Sequence, residues 1–383
     1  METNTNKQRR NFLATLGAGV GSLLALPFVS AAQSFRSTLR EASSSPRKAV
    51  KKIEPMGFQW PTRDPFLFCV HHEDDFPKGN DKMGPQGSLE GRSLGDDFII
   101  KDGFRMYHGK VVPGFPGHPH RGFETVTVVR KGMVDHADSL GAAGRYGDGD
   151  VQWMTAGQGV QHSEMFPLLK KDEPNPLELF QIWLNLPRKN KMVKAHFTMF
   201  WSEDIALYTH HNAGGERTEV EIVAGRIGEL RSPAPPPNSW AADPQNEVAI
   251  WNIKMAPGAS WALPKASAGV NRMLYYYQGE SLLANGQKPG KYTAIELEAD
   301  MDVRLENGGE EARLLLLQGK PIGEQVMQYG PFVMNTKEEI QQAFQDYNRT
   351  QFGGWPWPRR DQVHPAHQGR FARHSNGYEE LKG

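Results

Sequence analysis

Two histidines separated by a single residue are the first feature of the sequence that suggests chemistry. His118 and His120 lie in the stretch GHPHRGFETVTVV, in a chain of 383 residues with 13 histidines. Residues i and i+2 of a β-strand point to the same side, so both imidazoles can face one point. Imidazole is a frequent metal ligand, but histidine pairs also occur on protein surfaces. This pair alone therefore leaves a metal site and a surface pair as alternatives.

A second pair with the same spacing strengthens the metal interpretation. His162 and Glu164 occur in the downstream stretch GDGDVQWMTAGQGVQHSEM. If the two pairs lie on neighbouring strands of a small barrel, three imidazoles and one carboxylate converge on one ion. A six-coordinate ion would then keep two positions open for substrate, O₂ or water. We therefore predict a metal site formed by His118, His120, His162 and Glu164.

Short strands bounded by Gly, Asp and Pro must position these side chains. In segment 178–186, Gln181 and Asn185 share one face, which makes Gln181 a candidate for lining the cavity. A helix is predicted in TKEEIQQAFQDYNR, because Thr336 and Glu339 have the spacing of a capping box. No regular alternation of strand and helix occurs, so we predict an all-β fold of two barrel or sandwich units with one helix. The predicted strands are 125–129, 151–154, 178–186, 248–255, 272–277 and 312–317.

The composition narrows the classes of function. Lys and Arg total 44, and Asp and Glu also total 44, so the chain lacks the basic surplus typical of proteins that bind nucleic acid. The single cysteine, Cys69, excludes an intrachain disulfide and a multi-cysteine metal site, and it is expected to be a buried apolar residue. The proline-rich stretch 232–244 is either a linker between domains or a loop within one domain, and we favour the loop.

The N-terminus has the pattern of an export signal. Two arginines, an apolar run and a small-residue end identify residues 1–32 as a signal peptide, and the motif RRNFL resembles a bacterial twin-arginine signal. An uncleaved membrane anchor is the alternative. We predict an exported, periplasmic protein without stable membrane association after cleavage, with residues 33–52 as a disordered linker. The twin-arginine pathway exports folded proteins, often with a metal or cofactor already inserted.

The residues around the predicted metal site also carry a family resemblance. HPHRGFETVT together with GDVQWMTAGQGVQHSEM resembles the signature of pirins, which are bicupins of the cupin superfamily, and GPFVMNTKEEIQQA resembles their C-terminal segment. The resemblance implies two stacked cupin barrels of the jelly-roll type with a C-terminal helix. It implies that the N-terminal barrel holds the metal through His118, His120, His162 and Glu164. Many other cupins use a glutamate four residues after the second histidine, so Glu124 is the alternative fourth ligand.

The resemblance also divides the chain. The predicted units are an N-terminal metal-binding cupin domain at 53–190, a metal-free cupin domain at 191–350 and an irregular tail at 351–383. The second domain cannot assemble a site of the same type, because no histidine occurs between His211 and His364. We therefore predict one metal ion per chain.

Pirins are associated with dioxygenase activity on flavonols such as quercetin, and this implies a hypothesis for the reaction. The 3-hydroxyl group of the flavonol binds the metal, Glu164 accepts the proton as ligand or base, and the electron-rich enolate reacts with O₂, with release of carbon monoxide. One divalent ion is expected, with Fe(II) or Mn favoured for a protein that folds before export; Ni, Co and Zn fit the same ligands. A small aromatic substrate is the expected partner.

Two other functions remain as alternatives. Pirins are also linked to regulation through protein partners, with the redox state of the metal altering the surface. Because this chain is predicted to be exported, such a partner would lie in the cell envelope. The third possibility is a metal-stabilised bicupin that binds a small ligand without turnover.

The adjacent histidines His71 and His72 depart from the family pattern. Neighbouring residues on a strand face opposite sides, so both cannot ligate one ion. We expect them to be structural or surface residues.

Overall fold

The computed structural model describes residues 48–382, and the strands in this range build two β-barrels. The predicted signal peptide at 1–32 and most of the predicted linker at 33–52 lie outside the described residues. None of the helices in the described range is long and apolar enough to span a membrane. The strands of the first part are β1 (Val50–Pro55), β2 (Phe66–Phe76), β3 (Gly114–His120), β4 (Phe123–Lys131), β5 (Met133–Asp138), β6 (Ala143–Gly147), β7 (Val151–Thr155), β8 (Val160–Met165), β9 (Asn175–Asn185), β10 (His196–Phe200), β11 (Leu207–His211) and β12 (Arg217–Ala224).

The second part of the chain has the same character and ends with a helix and two further strands. Its elements are β13 (Arg226–Ile227), β14 (Leu230–Arg231), β15 (Ala249–Met255), β16 (Ser260–Leu263), β17 (Asn271–Gln278), β18 (Leu282–Ala284), β19 (Thr293–Leu297), β20 (Val303–Asn307), β21 (Ala312–Gly319), β22 (Met327–Tyr329), β23 (Phe332–Met334), α1 (Lys337–Thr350), β24 (Phe371–Arg373) and β25 (Glu379–Leu381). Short 3-10 turns lie at Arg188–Asn190, Ser202–Asp204, Trp240–Ala242, Pro244–Asn246 and Gln351–Gly353.

The first barrel is made of two antiparallel sheets. One has the strand order β10-β7-β4-β9-β2, and the other has the order β25-β24-β6-β5-β8-β3. Alternate residues of each strand therefore point into the barrel or out of it. The predicted strands at 125–129, 151–154 and 178–186 are confirmed as β4, β7 and β9.

The second barrel packs a seven-stranded sheet against a three-stranded one. The strand orders are β1-β19-β17-β21-β15-β12-β11 and β16-β20-β18. The remaining predicted strands are confirmed as β15, β17 and β21. The proline-rich stretch 232–244 connects strands that belong to this barrel, because β12 on one side of it pairs with β15 on the other. It is therefore a loop within one barrel, as favoured above.

An apolar interface joins the two barrels. The outer face of the five-stranded sheet contributes Val126, Phe180 and Ile182, which lie in one buried cluster with Ile250 and Leu315 of the second barrel. Full burial of a side chain of this kind contributes about 1.5–3 kcal/mol. The first barrel consequently has an apolar outer face on this sheet.

The barrels do not follow the predicted domain limits at their edges. β1 begins at Val50, inside the linker predicted at 33–52, and pairs with β19 of the second barrel. β10 lies beyond the limit predicted at residue 190, yet it pairs with β7 of the first barrel. Each strand satisfies the backbone groups of a sheet edge that is distant in sequence. Local composition therefore does not reveal either pairing.

The predicted helix is confirmed as α1. Thr336 Oγ1 accepts a hydrogen bond from the Glu339 backbone N–H at 3.2 Å, and Glu339 Oε2 accepts one from the Thr336 backbone N–H at 2.9 Å. This reciprocal pair is the capping box that the spacing predicted. The helix buries Ile340 and Ala343 against Phe332 of β23.

The tail predicted to be irregular at 351–383 is instead partly built into the first barrel. β24 pairs with β6 and extends the six-stranded sheet. Arg145 of β6 makes two hydrogen bonds of 2.7 Å to the Asp135 carboxylate and donates to the backbone carbonyl oxygens of His364 and Gln368. The backbone N–H of His364 also donates to Asp135 Oδ2 at 2.8 Å, so these backbone contacts attach the tail to the buried ion pair.

We predict that Arg145→Met lowers the free energy of unfolding by about 3–5 kcal/mol, because it leaves the Asp135 carboxylate buried without its ion pair. Urea denaturation measures this change. The double variant Asp135→Leu/Arg145→Met should be more stable than Arg145→Met, since it removes the unpaired charge. Equal stability of the single and double variants would show that the ion pair is not the cause.

Candidate metal centre

The strands that carry the two predicted pairs are neighbours. β3 and β8 pair antiparallel at one edge of the six-stranded sheet, with His118 directly opposite His162. Residues opposite each other in such a pair point to the same side of the sheet. The register shifts between Phe115 and His118, and an irregularity of this kind can re-aim the side chains that follow. The imidazoles of both strands therefore meet inside the first barrel.

The three imidazoles form one compact group, which we call the three-histidine centre: His118, His120 and His162. Their ring centroids lie 4.5 to 4.9 Å apart. The nitrogen atoms available as ligands all lie within 4.8 Å of one another. Within residues 48–382, this is the one group of three or more His, Cys, Asp or Glu side chains with metal-ligand spacing. The structure thus brings together the three histidines that the sequence singled out.

The electrostatics of the centre suit a metal ion. Burial lowers the pKa of His118 to about 4 and lowers the pKa values of His120 and His162 well below the ordinary value. The rings are therefore neutral near pH 7, and a neutral imidazole offers a lone pair to a metal ion. His118 Nδ1 lies 3.1 Å from the carbonyl oxygen of Pro116, a contact of the kind that orients a metal-binding imidazole.

His162 gives the clearest sign that something belongs at this centre. Its side chain is fully buried, and neither ring nitrogen has a hydrogen-bond partner within residues 48–382. A buried polar atom without a partner costs about 1–3 kcal/mol. A bound metal ion would give one nitrogen the partner that the described residues do not supply. The residues present therefore fit a divalent metal ion.

Glu164 lies beside the three-histidine centre. Its Oε2 is 3.8 Å from His162 Nε2, and the carboxylate is held by Thr127 Oγ1 at 2.8 Å and by Gln181 Nε2 at 3.3 Å. Burial raises the pKa of Glu164, and these two hydrogen bonds partly offset that effect. Gln181 therefore lines the interior next to the centre, in the position that its strand face predicted. Glu164 as the fourth ligand stays a prediction.

The alternative fourth ligand, Glu124, is excluded by its direction. It is fully buried on the outer face of β4, on the side of Val126 and the second barrel. Its carboxylate accepts hydrogen bonds from Thr155 Oγ1 at 2.6 Å and from Ser239 Oγ at 2.5 Å. Glu124 therefore attaches the proline-rich loop to the first barrel. Strand alternation explains this direction, because Glu124 is two residues from Val126 and so lies on the same outer face of β4.

His71 and His72 are structural residues, and both are buried rather than at the surface. They point to opposite sides of β2, as expected. His71 Nε2 lies 3.3 Å from Glu178 Oε1, whereas His72 Nδ1 lies 2.9 Å from the Tyr107 hydroxyl group. Neither belongs to the three-histidine centre.

Two side chains near the centre were not identified from the sequence. In the register of β5 with β8, His136 lies opposite Glu164, and Asp138 lies opposite His162. Both face the barrel interior, and the ring of His136 is 5.5 Å from that of His162. Their i, i+2 spacing was the available signal. It becomes informative only when the strand pairing is known.

Two stacked antiparallel barrels, with one histidine-rich centre inside the first, define a bicupin. Residues 79–184 match the family model described as Pirin, and residues 250–353 match the model described as Pirin C-terminal cupin domain. The chain belongs to the pirin family.

Individual relatives agree with this assignment. A Pseudomonas aeruginosa protein named "Putative quercetin 2,3-dioxygenase" is 37% identical over 258 residues, which is 66% of this chain and 85% of the relative. Human pirin is 33% identical over 264 residues, covering 67% of this chain and 83% of that protein. A crystal structure of quercetin 2,3-dioxygenase from Acinetobacter baumannii superimposes with a TM-score of 0.60 and 26% identity, covering 80% of this chain and 96% of that one.

We predict that His162→Gln lowers the affinity for a divalent metal ion by more than about 100-fold, since it replaces an imidazole ligand at the middle of the centre. Elemental analysis after dialysis against a metal buffer measures this loss. His211→Gln, at an exposed histidine of the second barrel, is the matched control and should retain the wild-type metal content. Wild-type metal content in His162→Gln would contradict the assignment of this ligand.

A second prediction concerns Glu124. Burial raises the pKa of Glu124 to about 7 from an ordinary value of 4.5. Between these pH values the folded protein keeps a proton that the unfolded chain releases, so the free energy of unfolding falls as the pH rises. Glu124→Gln should therefore gain stability relative to wild type, by up to about 3 kcal/mol, between pH 4.5 and pH 7. Urea denaturation at both pH values measures it, with the exposed Glu229→Gln as control. A difference between variant and wild type that does not change with pH would contradict it.

Proposed function

We propose that this protein is a metal-dependent bicupin dioxygenase that acts on a flavonol-like aromatic enol. The observation that carries the proposal is the buried three-histidine centre with a carboxylate, Glu164, beside it. The names of the Pseudomonas aeruginosa relative and of the Acinetobacter baumannii structure support the reaction class and the substrate class.

His118, His120 and His162 would hold the metal, with Glu164 as the proposed fourth ligand. A bound divalent ion supplies a Lewis acid that lowers the pKa of a coordinated hydroxyl group. The protein itself contributes three neutral imidazoles, which need not lose a proton before they bind the ion near pH 7. It also largely excludes water, because His120, His162 and Glu164 are all buried.

Glu164 is the proposed acceptor of the substrate hydroxyl proton. Its burial raises its pKa, which makes it a stronger base than an exposed carboxylate. Thr127 donates to one carboxylate oxygen and Gln181 to the other, so the group is held in one orientation.

The surroundings of His118 support an aromatic substrate. His118 is the one partly exposed member of the centre, so a ligand can approach from its side. The ring of Phe115 lies 6.3 Å from that of His118, and Phe98 and His108 lie 6.4 and 5.8 Å from Phe115. Aromatic side chains next to a few polar groups are typical of sites for planar organic ligands.

We propose Fe(II) as the metal, with Mn next, and a periplasmic location. The support is the export-signal pattern at 1–32, which lies outside the described residues. A protein that folds before export takes its metal from the cytoplasm, where the tightly binding ions Cu and Zn are scarce. The ligand types alone do not choose among Fe, Mn, Ni, Co and Zn.

A second candidate function is metal-responsive binding of a protein partner in the envelope. It is favoured by the contacts of Arg121, the residue that follows His120, with the C-terminal segment. The backbone N–H of Arg121 donates to the carbonyl oxygen of Pro331 at 3.4 Å, and the Arg121 side chain forms an ion pair of 2.9 Å with Asp346 of α1. A change at the metal would therefore be adjacent to a helix with an exposed polar face.

The test combines metal content with turnover. We expect natively exported protein to hold one iron per chain, and to consume O₂ and release carbon monoxide when quercetin is added. Glu164→Gln should lower the rate by about 100-fold or more, because it removes the proton acceptor. Glu124→Gln, whose carboxylate faces away from the centre, should keep the wild-type rate.

Two outcomes would contradict the proposal. O₂ uptake no faster than that of metal-free protein would exclude flavonol dioxygenase activity, and with the metal retained it would favour the second candidate. Stoichiometric zinc in natively exported protein would exclude iron as the resident metal.

A further inference from the structure

A buried histidine next to the three-histidine centre has no role in the reaction described above. His136 is fully buried on β5 and lies opposite Glu164 of β8, so its side chain points into the first barrel. Its ring centroid is 5.5 Å from that of His162. Its neighbour Asp135 points outward to Arg145, which confirms the inward direction of His136.

Neither ring nitrogen of His136 has a hydrogen-bond partner among the residues that the structure describes. Both Nδ1 and Nε2 are buried without a hydrogen bond, and Asp138 Oδ2 lies 3.6 Å from Nε2, beyond hydrogen-bond distance. Every protonation state of imidazole has at least one N–H donor, so a donor is left unsatisfied in the barrel. An unpaired buried donor is costly, and native proteins rarely keep one without a reason.

Other buried histidines outside the centre are satisfied. His71 contacts Glu178 at 3.3 Å, and His72 contacts the Tyr107 hydroxyl group at 2.9 Å. His364 Nε2 lies 2.9 Å from the backbone carbonyl oxygen of His136 itself. His136 and His162 share the property that both ring nitrogens lack a partner, and they are neighbours. Any group that supplies hydrogen-bond or metal partners to these ring nitrogens would therefore lie in the same part of the barrel.

The ring of His136 is held in place without using its nitrogens. It stacks on Phe197 with a centroid distance of 5.4 Å and an interplanar angle of 11°. Its backbone is fixed from outside the barrel by His364. The ring face is thus packed, while its edge, which carries the nitrogens, is unpaired. This is the arrangement of a side chain that is positioned in advance for a ligand.

We propose that His136 orients the bound molecule, by a hydrogen bond between its imidazole and an oxygen atom of the ligand at the three-histidine centre. The ligand class is an oxygen chelator with a second polar oxygen, such as the hydroxyl and carbonyl groups of an aromatic enol. The substrate class rests on the proposed function, whereas the positioning role rests on the geometry of His136. His136 is a positioning residue and not a metal ligand, because it is absent from the group with metal-ligand spacing.

His136→Phe separates this role from a structural one. Phenylalanine keeps a planar ring to stack on Phe197 but removes both nitrogens. The metal-free variant should unfold at the same temperature as wild type or higher, because two unsatisfied polar atoms are removed. A merely structural histidine would instead lose stability. His136→Asn, which keeps a smaller polar group, is the second variant if the first does not fold.

Ligand binding is measured with two probes on protein loaded with Co(II) in the absence of O₂. Quercetin and acetohydroxamate are titrated separately, and metal content is measured by elemental analysis. We expect His136→Phe to hold as much metal as wild type. Its affinity for each probe that wild type binds should be about tenfold lower than that of wild type. His211→Phe, at an exposed histidine of the second barrel, is the control and should bind both probes like wild type.

The outcomes distinguish this inference from the proposed function. If wild type binds acetohydroxamate but not quercetin, the flavonol proposal fails, and the acetohydroxamate affinity of His136→Phe still decides the role of His136. Unchanged affinity of the variant for the bound probe would overturn that role and indicate a histidine that binds only water. Loss of metal from the variant, or failure of wild type to bind either probe, would also overturn it.

Discussion

The pairing of β3 with β8 is the constraint on which the rest of the structure depends. It places His118 opposite His162, and each strand adds a second inward side chain two residues along. A shift of one residue in this register would turn the ligands of one strand to the outer face. Contacts on both sides stabilise this strand pair. β5 pairs with the other side of β8, and the backbone of Gly117, on the free edge of β3, contacts the backbone of Arg360. The geometry of the three-histidine centre is therefore a consequence of strand register.

Burial has different effects on the side chains outside and inside the first barrel. On the outer face of the five-stranded sheet, burial against the second barrel supplies apolar stability and isolates the carboxylate of Glu124. Inside the barrel, burial keeps the imidazoles neutral and raises the pKa of Glu164. The second barrel thus contributes to the centre without supplying a ligand, because it covers one wall of the barrel that does.

The C-terminal part of the chain supports the ligand strands from outside. Gln161, which immediately precedes His162 on β8, is contacted by Arg360 at 2.8 Å and by the Tyr347 hydroxyl group of α1 at 3.1 Å. Trp357 Nε1 donates to the carbonyl oxygen of Asp138 at 2.7 Å. Contacts of this kind fix the backbone behind a site and so restrict the side chains in front of it. The tail and α1 therefore belong to the architecture of the centre.

Local patterns in the sequence determined the all-β fold class, the core strands, the capped helix and the three histidines, because i, i+2 alternation and capping-box spacing depend only on nearby residues. The pirin motifs added the stacking of two cupin barrels and the prediction that only the first of them binds a metal ion. Only the tertiary structure decided that Glu124 faces the second barrel, that β1 and β10 cross the predicted domain limits, and that His136 stands beside His162. These facts depend on which strands pair and in which register. Such pairing satisfies backbone groups far apart in the chain and leaves no local signal.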